Sequence, residues 1–410
     1  MKTSVQNQMS YAVQSWLTSE ASRRSISSHQ TEFLNQLMAE GFPTTKHEEY
    51  RFTPVTRALE NLAAAEKQAS DAAKSSSSIP EIPGSQARII VTHDKIILPA
   101  EFPAGISVLI TENKPFSRSK DAFALLNQSL SNRTLEIGSD SHEDRVIHLH
   151  HATDHRFCTP AISVRVNAGA QLTLIETYAH PGRASFVTHV LDASVEACAK
   201  FTWYSLQDFE GETSFVSNVR IVVQNDAEAT GFVVTSGGAV VRNNPVFEVA
   251  GAGAVANLFG LSLLNGRTLA DHHTVVDHQV ANASSNELYK SIMAGHSRGV
   301  FNGKIFVRPD AQKTNAFQSN RNILLSENAT VNTKPQLEIW ADDVKCSHGC
   351  TSGQLDEEAL FYLRSRGIDR PAATALLLEA FAGEVVDKLP HEQIRNMIRT
   401  HVIAKLALLA

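Results

Sequence analysis

The 410-residue sequence lacks several features that would assign it to a class at once. Its four cysteines are too few for a disulfide framework, so we expect free thiols in a reducing cytoplasm. It has no run of about 18 apolar residues and no apolar leader, which argues against a membrane span and a secretory signal. With 37 basic and 43 acidic residues, its net charge of −6 argues against nucleic acid as a partner.

The first 75 residues are predicted to form a helical region. A helix is expected from Ser28 to Glu40, with Gly41 as its stop. Another is expected to begin at Thr53, as the N-cap, with Pro54 at the first helical position. The serine- and proline-rich stretch 76–86 that follows is typical of a linker.

Residues 87–353 have the pattern of a β region, and residues 354–410 that of a second helical region. Segments such as 163–166 alternate polar and apolar side chains, and few helical patterns interrupt them. Beyond residue 354, Asp356 and Asp369 are expected to cap helices. Apolar residues make up 42% of the chain, enough for a sizeable core.

A weak internal repeat runs through the β region. Copies begin at Ala170, Ala199 and Ala229, with two further candidates at Gly253 and Asn328. A spacing of about 25–30 residues is in the range of solenoids, in which small residues at corners let successive coils stack. An antiparallel sandwich with alanine-rich turns is the alternative that the spacing leaves open.

The densest group of chemically active residues is Cys346, His348 and Cys350, which follow two aspartates at 342–343. Residues two apart in a strand point to the same side, and thiolate with imidazole suits iron or zinc. A closed zinc site needs four ligands, so an open site, or one shared with another chain, fits better. The alternative is that Cys346 is a buried small residue and His348 bonds a carbonyl.

Histidines are also frequent elsewhere, and metal binding by them is conceivable. We favour hydrogen-bonded structural histidines, and His272 is expected to pair with Asp271 or Asp277. The histidines concerned are His148, His150, His151, His155, His272, His273 and His278.

Two glycine-rich segments only imitate nucleotide-binding motifs. Residues 299–305 are one residue too short for a phosphate loop and have Ile305 in the position of the magnesium-binding Ser or Thr. Residues 251–256 lack a surrounding βαβ unit. We therefore expect no self-sufficient catalytic centre, and any ATP energy must come from a partner.

Several longer motifs, occurring in the right order, resemble the SufD branch of the SufB/SufD family of iron–sulfur cluster assembly proteins. SufB members usually read Glu-His-Glu where this chain has Ser347-His348-Gly349, and SufD usually has Trp where this chain has Tyr50. The motifs are Lys46–Thr53, Ser297–Lys304, Gln318–Leu325, Lys334–Ile339, Asp342–Gly349 and Phe361–Ile368.

The resemblance implies a right-handed parallel β-helix flanked by helical N- and C-terminal regions. It also implies pairing with a SufB-like subunit through the β-helix, and docking of a SufC-like ATPase on the C-terminal helices. A homodimer is a further possibility that the family offers.

Finally, the resemblance implies a non-enzymatic scaffold with no permanently bound cofactor. In the family, the histidine matching His348 is implicated in iron acquisition or cluster assembly at the SufB interface, and the cysteine matching Cys346 lies beside it. Cys350 stands where the family usually has a small residue, so it either adds a ligand or fills that space. The alternatives are a purely structural β-helix interaction protein and a β-helix carbohydrate-active enzyme.

Overall fold

The computed structural model describes residues 9–65, 79–93, 95–112, 119–152, 155–179, 184–209 and 211–409. Two largely parallel sheets form a solenoid of about seven turns, with helices before and after it. The expected mainly β fold is confirmed, and the antiparallel sandwich is wrong. Residues 76–78 of the expected linker lie outside the described residues.

One face of the solenoid is a ten-stranded sheet, which we call sheet A. From β1 to β21 all of its neighbours are parallel, and only β2 pairs antiparallel, at one edge. In spatial order its strands are β2 (Ile96–Ile97), β1 (Ala87–Val91), β5 (Arg145–Ala152), β8 (Gln171–Ala179), β10 (Lys200–Phe209), β12 (Glu228–Gly237), β14 (Val255–Leu264), β16 (Ser284–Met293), β18 (Asn315–Leu324) and β21 (Lys345–Gly353).

The opposite face is sheet B, whose strands alternate along the chain with those of sheet A from β8 to β19. The short strands β20 and β6 pair with β17 and β9. In spatial order the sheet contains β19 (Thr330–Thr333), β17 (Arg298–Val307), β15 (Leu269–His278), β13 (Val240–Val249), β11 (Thr213–Val223), β9 (Ser185–Val195), β7 (Ala161–Val166), β4 (Arg133–Ser139) and β3 (Ile106–Glu112), with β20 at Gln336–Ile339 and β6 at Phe157–Cys158.

One corner of the coils is built in the same way five times in succession. A buried alanine precedes each strand of sheet A from β8 to β16, and each alanine follows a residue of positive φ. The left-handed residue turns the chain, and the small alanine lets the next coil stack closely. The pairs are Gly169-Ala170, Cys198-Ala199, Asp226-Ala227, Gly253-Ala254 and Asn282-Ala283.

Two of the expected repeat starts are out of phase with this corner. Ala229 is already the second residue of β12, two positions after Ala227. Asn328 precedes β19, which belongs to sheet B, so it marks a different corner. Alternation has a period of two residues and therefore cannot fix where a strand begins.

The N-terminal helices pack on the outer face of sheet B. They are α1 (Tyr11–Arg24), α2 (Ser28–Glu40), a short 3₁₀ helix (Glu48–Tyr50) and α3 (Val55–Ala65), joined by α4 (Ala122–Leu130) from within the β region. The expected bounds of α2 are confirmed, and Ser27 caps it. By contrast, α3 begins at Val55, because the Thr53 hydroxyl donates to Asp271 of sheet B (2.5 Å).

The C-terminal helices α6 (Arg370–Val386) and α7 (Glu392–Leu406) cover the outer face of sheet A, whereas α5 (Glu357–Ser365) packs on α6. Asp356 and Asp369 cap α5 and α6 as expected. Lys290 of β16 is buried beneath α6, where it donates to the Phe381 carbonyl (2.9 Å) and pairs with Glu384. Within the described residues, no helix has the length and apolarity needed to cross a membrane.

Candidate functional site

The strand that carries the predicted site, β21, lies at the end of the solenoid. It pairs with β18 on one side, and its other edge has no strand partner among the described residues. Most of its side chains are exposed, in contrast to the buried strands of the preceding coils. An unpaired strand edge offers backbone donors and acceptors to another chain.

Cys346, His348 and Cys350 occupy alternate positions of β21, opposite Ala316, Gln318 and Asn320 of β18. They belong to the inner face of sheet A. Cys346 is half-buried against the solenoid core, and the Cys350 thiol lies 2.9 Å from the Thr333 hydroxyl of sheet B. The predicted common face is therefore present, and it lies at the open end of the coil interior.

These three side chains do not by themselves enclose an ion. Alternate residues of a strand are about 7 Å apart, whereas donors on one ion lie about 3–4 Å apart. In the described part of the chain, this strand offers no set of three metal donors within 4.8 Å of one another. The geometry therefore suits a site completed by ligands from elsewhere.

The protonation state of Cys346 determines whether its sulfur can act as a metal ligand in the free chain. Burial raises the pKa of the Cys346 thiol, and a hydrogen bond with the backbone of Ala316 only partly opposes the shift. In the free chain Cys346 is therefore a thiol at neutral pH. A thiolate ligand forms there only when a metal or a partner's positive charge displaces the proton.

Two strands further into sheet A, on β16, lies a buried carboxyl group that the sequence did not single out. Glu287 accepts hydrogen bonds from Gln318, the register neighbour of His348, and from Thr274 (3.2 Å). Burial raises the pKa of Glu287 to about 7. The sequence signal was a glutamate in a β-strand pattern, and in the structure its register partners are the apolar Leu258 on one side and Gln318 on the other.

Most of the other histidines are structural, as expected. The Thr177 hydroxyl lies 2.7 Å from ring nitrogens of both His148 and His150, and His278 bonds Ser285 (2.8 Å). The predicted pairing of His272 with an aspartate is wrong.

His272 bonds the Ser262 hydroxyl across the coil interior (2.9 Å). Its neighbour His273 pairs with Asp271 instead (3.0 Å). Adjacent residues of a strand face opposite sides, and this one-residue difference decides which histidine meets the carboxylate.

Two of the family-like motifs meet on the outer face of sheet B. Glu49 of the N-terminal motif forms ion pairs with Lys304 (2.5 Å) and His273 (3.2 Å). Tyr50 lies beneath the Arg242 guanidinium, 3.9 Å from the ring centre. The hydrogen bond from His273 is the largest effect that lowers the pKa of Glu49, to about 2. This motif fastens the N-terminal region to the solenoid.

The fold and this strand together define a parallel β-solenoid protein that displays thiol and imidazole side chains at an open end. Residues 148–381 match the family model of the SUF system FeS cluster assembly SufBD core domain. The match spans more than half of the chain, which therefore belongs to the SufBD family of the SUF iron–sulfur cluster assembly system. The resemblance inferred from the motifs is confirmed.

Individual relatives support the same assignment. The iron–sulfur cluster assembly protein SufD of Escherichia coli is 29% identical, and the alignment covers 96% of both chains. A SufBD family protein of Synechocystis is 32% identical over 58% of this chain and 55% of its own. The chloroplastic protein ABCI7 of Arabidopsis thaliana is 34% identical over 59% of this chain and 52% of its own.

Proposed function

We propose that this chain is a non-catalytic scaffold subunit of an iron–sulfur cluster assembly complex in the cytoplasm. It pairs with a SufB-like subunit through the open end of the solenoid and docks a SufC-like ATPase on its C-terminal helices. Its site acquires iron at the SufB interface. The observation that carries the proposal is the placement of Cys346, His348 and Cys350 on a strand with an unpaired edge.

The incomplete donor set fits a transient site. A second subunit seated on β21 would add its own ligands to His348 and Cys346, and the ion or cluster would be held only while both subunits are in place. A closed site with four ligands from one chain would retain its cargo, whereas an assembly scaffold must release it.

Exposed aromatic side chains next to this end support a partner surface. Phe317 of β18 is 47% exposed and Trp340, which follows β20, is 48% exposed. Partly exposed aromatic residues are typical anchors of protein interfaces. Phe317 lies on a strand of sheet A and Trp340 directly follows a strand of sheet B, so a subunit seated at this end of the solenoid would cover them together with β21.

The C-terminal helices offer a separate surface for the ATPase. Phe361 and Tyr362 of α5 are 74% and 57% exposed. The same helical region is linked to the site strand, because Glu384 of α6 pairs with Arg321 of β18, the neighbour of β21. ATP-driven movement of the helices would thus be transmitted to the strand that carries the ligands.

The iron-acquisition step is tested by His348→Ala in the complex with SufB-like and SufC-like partners. We expect assembly to be retained and the yield of cluster, reconstituted anaerobically with iron and sulfide, to fall. His296→Ala is the matched control, since His296 is exposed at a corner away from β21. An unchanged cluster yield in His348→Ala refutes the role and favours a purely structural solenoid.

The docking step needs point variants, because α6 and α7 cover apolar side chains of sheet A and cannot be deleted without exposing them. We expect Phe361→Ala with Tyr362→Ala to abolish co-purification of the ATPase and to leave SufB binding intact. Tyr11→Ala removes an equally exposed aromatic from α1 and should have no effect. Retained ATPase binding in the double variant contradicts the proposal. Sedimentation of the free chain then tests the predicted homodimer.

A further inference from the structure

A second set of metal donors lies inside the solenoid, several coils away from β21. His151 comes from β5, Glu176 from β8 and His189 from β9, so the set joins sheet A to sheet B. All three side chains are at most 1% exposed. Unlike the donors of β21, they lie together, with their ligand atoms within 4.8 Å of one another.

The distances are close to those of an ion site. One oxygen of Glu176, Oε1, lies 2.8 Å from Nε2 of His151 and 3.0 Å from Nε2 of His189. Donors bound at about 2.0–2.2 Å to one ion lie about 3.0–3.6 Å from each other. An ion would therefore enter after the Glu176 oxygen moves a few tenths of an ångström away from each imidazole nitrogen.

The surrounding side chains orient two of the three donors. The Trp203 indole donates to the second oxygen of Glu176 (2.6 Å), and the Ser217 hydroxyl lies 2.9 Å from Nδ1 of His189. Such outer partners fix the orientation of metal ligands. The remaining ring nitrogen of His151, Nδ1, is buried and has no hydrogen-bond partner among the described residues.

We propose that His151, Glu176 and His189 bind one divalent transition-metal ion of the zinc and ferrous iron class. Two imidazoles and one carboxylate form a ligand set that both ions accept, with a remaining position for water. On binding, each imidazole gives its Nε2 lone pair to the ion and carries its proton on Nδ1. The ion cross-links the two sheets where the solenoid begins, and it is resident rather than transient.

The experiment uses the full chain with Cys346→Ser, His348→Ala and Cys350→Ser, so that β21 binds no metal through these three side chains. We expect this triple variant to hold about one equivalent of metal after purification, or after refolding with Zn²⁺ or, without oxygen, with Fe²⁺. Metal content by mass spectrometry shows which of the two ions co-purifies. Co²⁺ as a probe should give ligand-field absorption without a thiolate charge-transfer band.

Adding Glu176→Gln to the triple variant should weaken Zn²⁺ binding at least tenfold, because the amide is a neutral and poor metal ligand. His278→Ala is the matched control: it removes another buried interior histidine and should leave one equivalent bound. Equal Zn²⁺ affinity with and without Glu176→Gln overturns the proposal. If the protein with Glu176→Gln does not fold, the refolded triple variant alone tests the proposal. Its failure to bind Zn²⁺, Fe²⁺ and Co²⁺ would also overturn the proposal.

Discussion

Replacing Glu287 by Gln should stabilise the protein at high pH but much less at low pH. The carboxyl is buried next to Gln318, and its pKa is raised from 4.5 to about 7 by that burial. Between these two values the unfolded chain loses the proton while the folded chain keeps it. The contribution of Glu287 to wild-type stability therefore falls as the pH rises, by about 3 kcal/mol in total.

The glutamine variant has no proton to lose at this position. It also keeps a carbonyl oxygen to accept from Thr274 and Gln318. Its stability relative to wild type should rise by about 2–3 kcal/mol between about pH 5 and about pH 8. Urea unfolding of both proteins at both pH values measures this double difference, in which the titration of all other groups cancels.

Glu176→Gln is the control, because it should change stability in the opposite direction. Glu176 is also fully buried, and burial alone would raise its pKa, yet that pKa is lowered because His189 and His151 favour the charged carboxylate. The amide should therefore destabilise the protein at neutral pH. If the stability of Glu287→Gln relative to wild type is the same at both pH values, burial does not govern Glu287 and the reasoning fails.

Three further outcomes are expected. Gly251→Ala places a methyl group 2.0 Å from the Asn225 backbone nitrogen of the adjoining coil and should cost about 3 kcal/mol. Gly266 has a φ of +62° and open space around it, so Gly266→Ala should cost only about 1 kcal/mol. If urea unfolding shows Gly266→Ala to be the less stable variant, the close packing around Gly251 is contradicted. Glu49→Gln should lower stability above pH 4.5, with the difference vanishing as the pH falls toward 2; an equal loss throughout would show that the ion pairs do not matter. Lys290→Met should lower the free energy of local unfolding of α6 by about 1–2 kcal/mol, which is measured as faster amide exchange in that helix. Unchanged exchange would show that Lys290 does not hold α6 on the sheet.

The sequence was a good guide to the architecture, for identifiable reasons. Alternating strands separated by small residues about 25–30 positions apart can bury their apolar faces by stacking coil on coil, and this favoured the solenoid over the antiparallel sandwich. Helix caps are local, so Asp356 and Asp369 were recognisable without any tertiary information. The exact residue at which each coil turns was harder to predict, because the left-handed corner position is filled by Gly, Cys, Asp or Asn in different coils.

The candidate site was predictable only in part. The spacing of Cys346, His348 and Cys350 predicted one common face, since that property belongs to a single strand. That β21 is the last strand of its sheet, and that Glu287 lies two strands inside it, depends on pairing between distant segments. The cluster at Glu176 was hidden for the same reason, because its three donors come from three strands of two sheets.

The continuous parallel register of sheet A from β8 to β21 also gives distances along the solenoid axis. Starting from Glu176, successive register partners are Ser205, Val233, Gly260, Tyr289, Asn320 and finally Cys350. Six steps of about 4.8 Å place the two sets of metal donors about 29 Å apart. No single ion can touch both sets, and two unit charges about 29 Å apart interact by only about 0.6 kcal/mol at an effective dielectric constant of about 20. Under the proposed function, a cargo that arrives and leaves at β21 would therefore have little electrostatic effect on His151, Glu176 and His189.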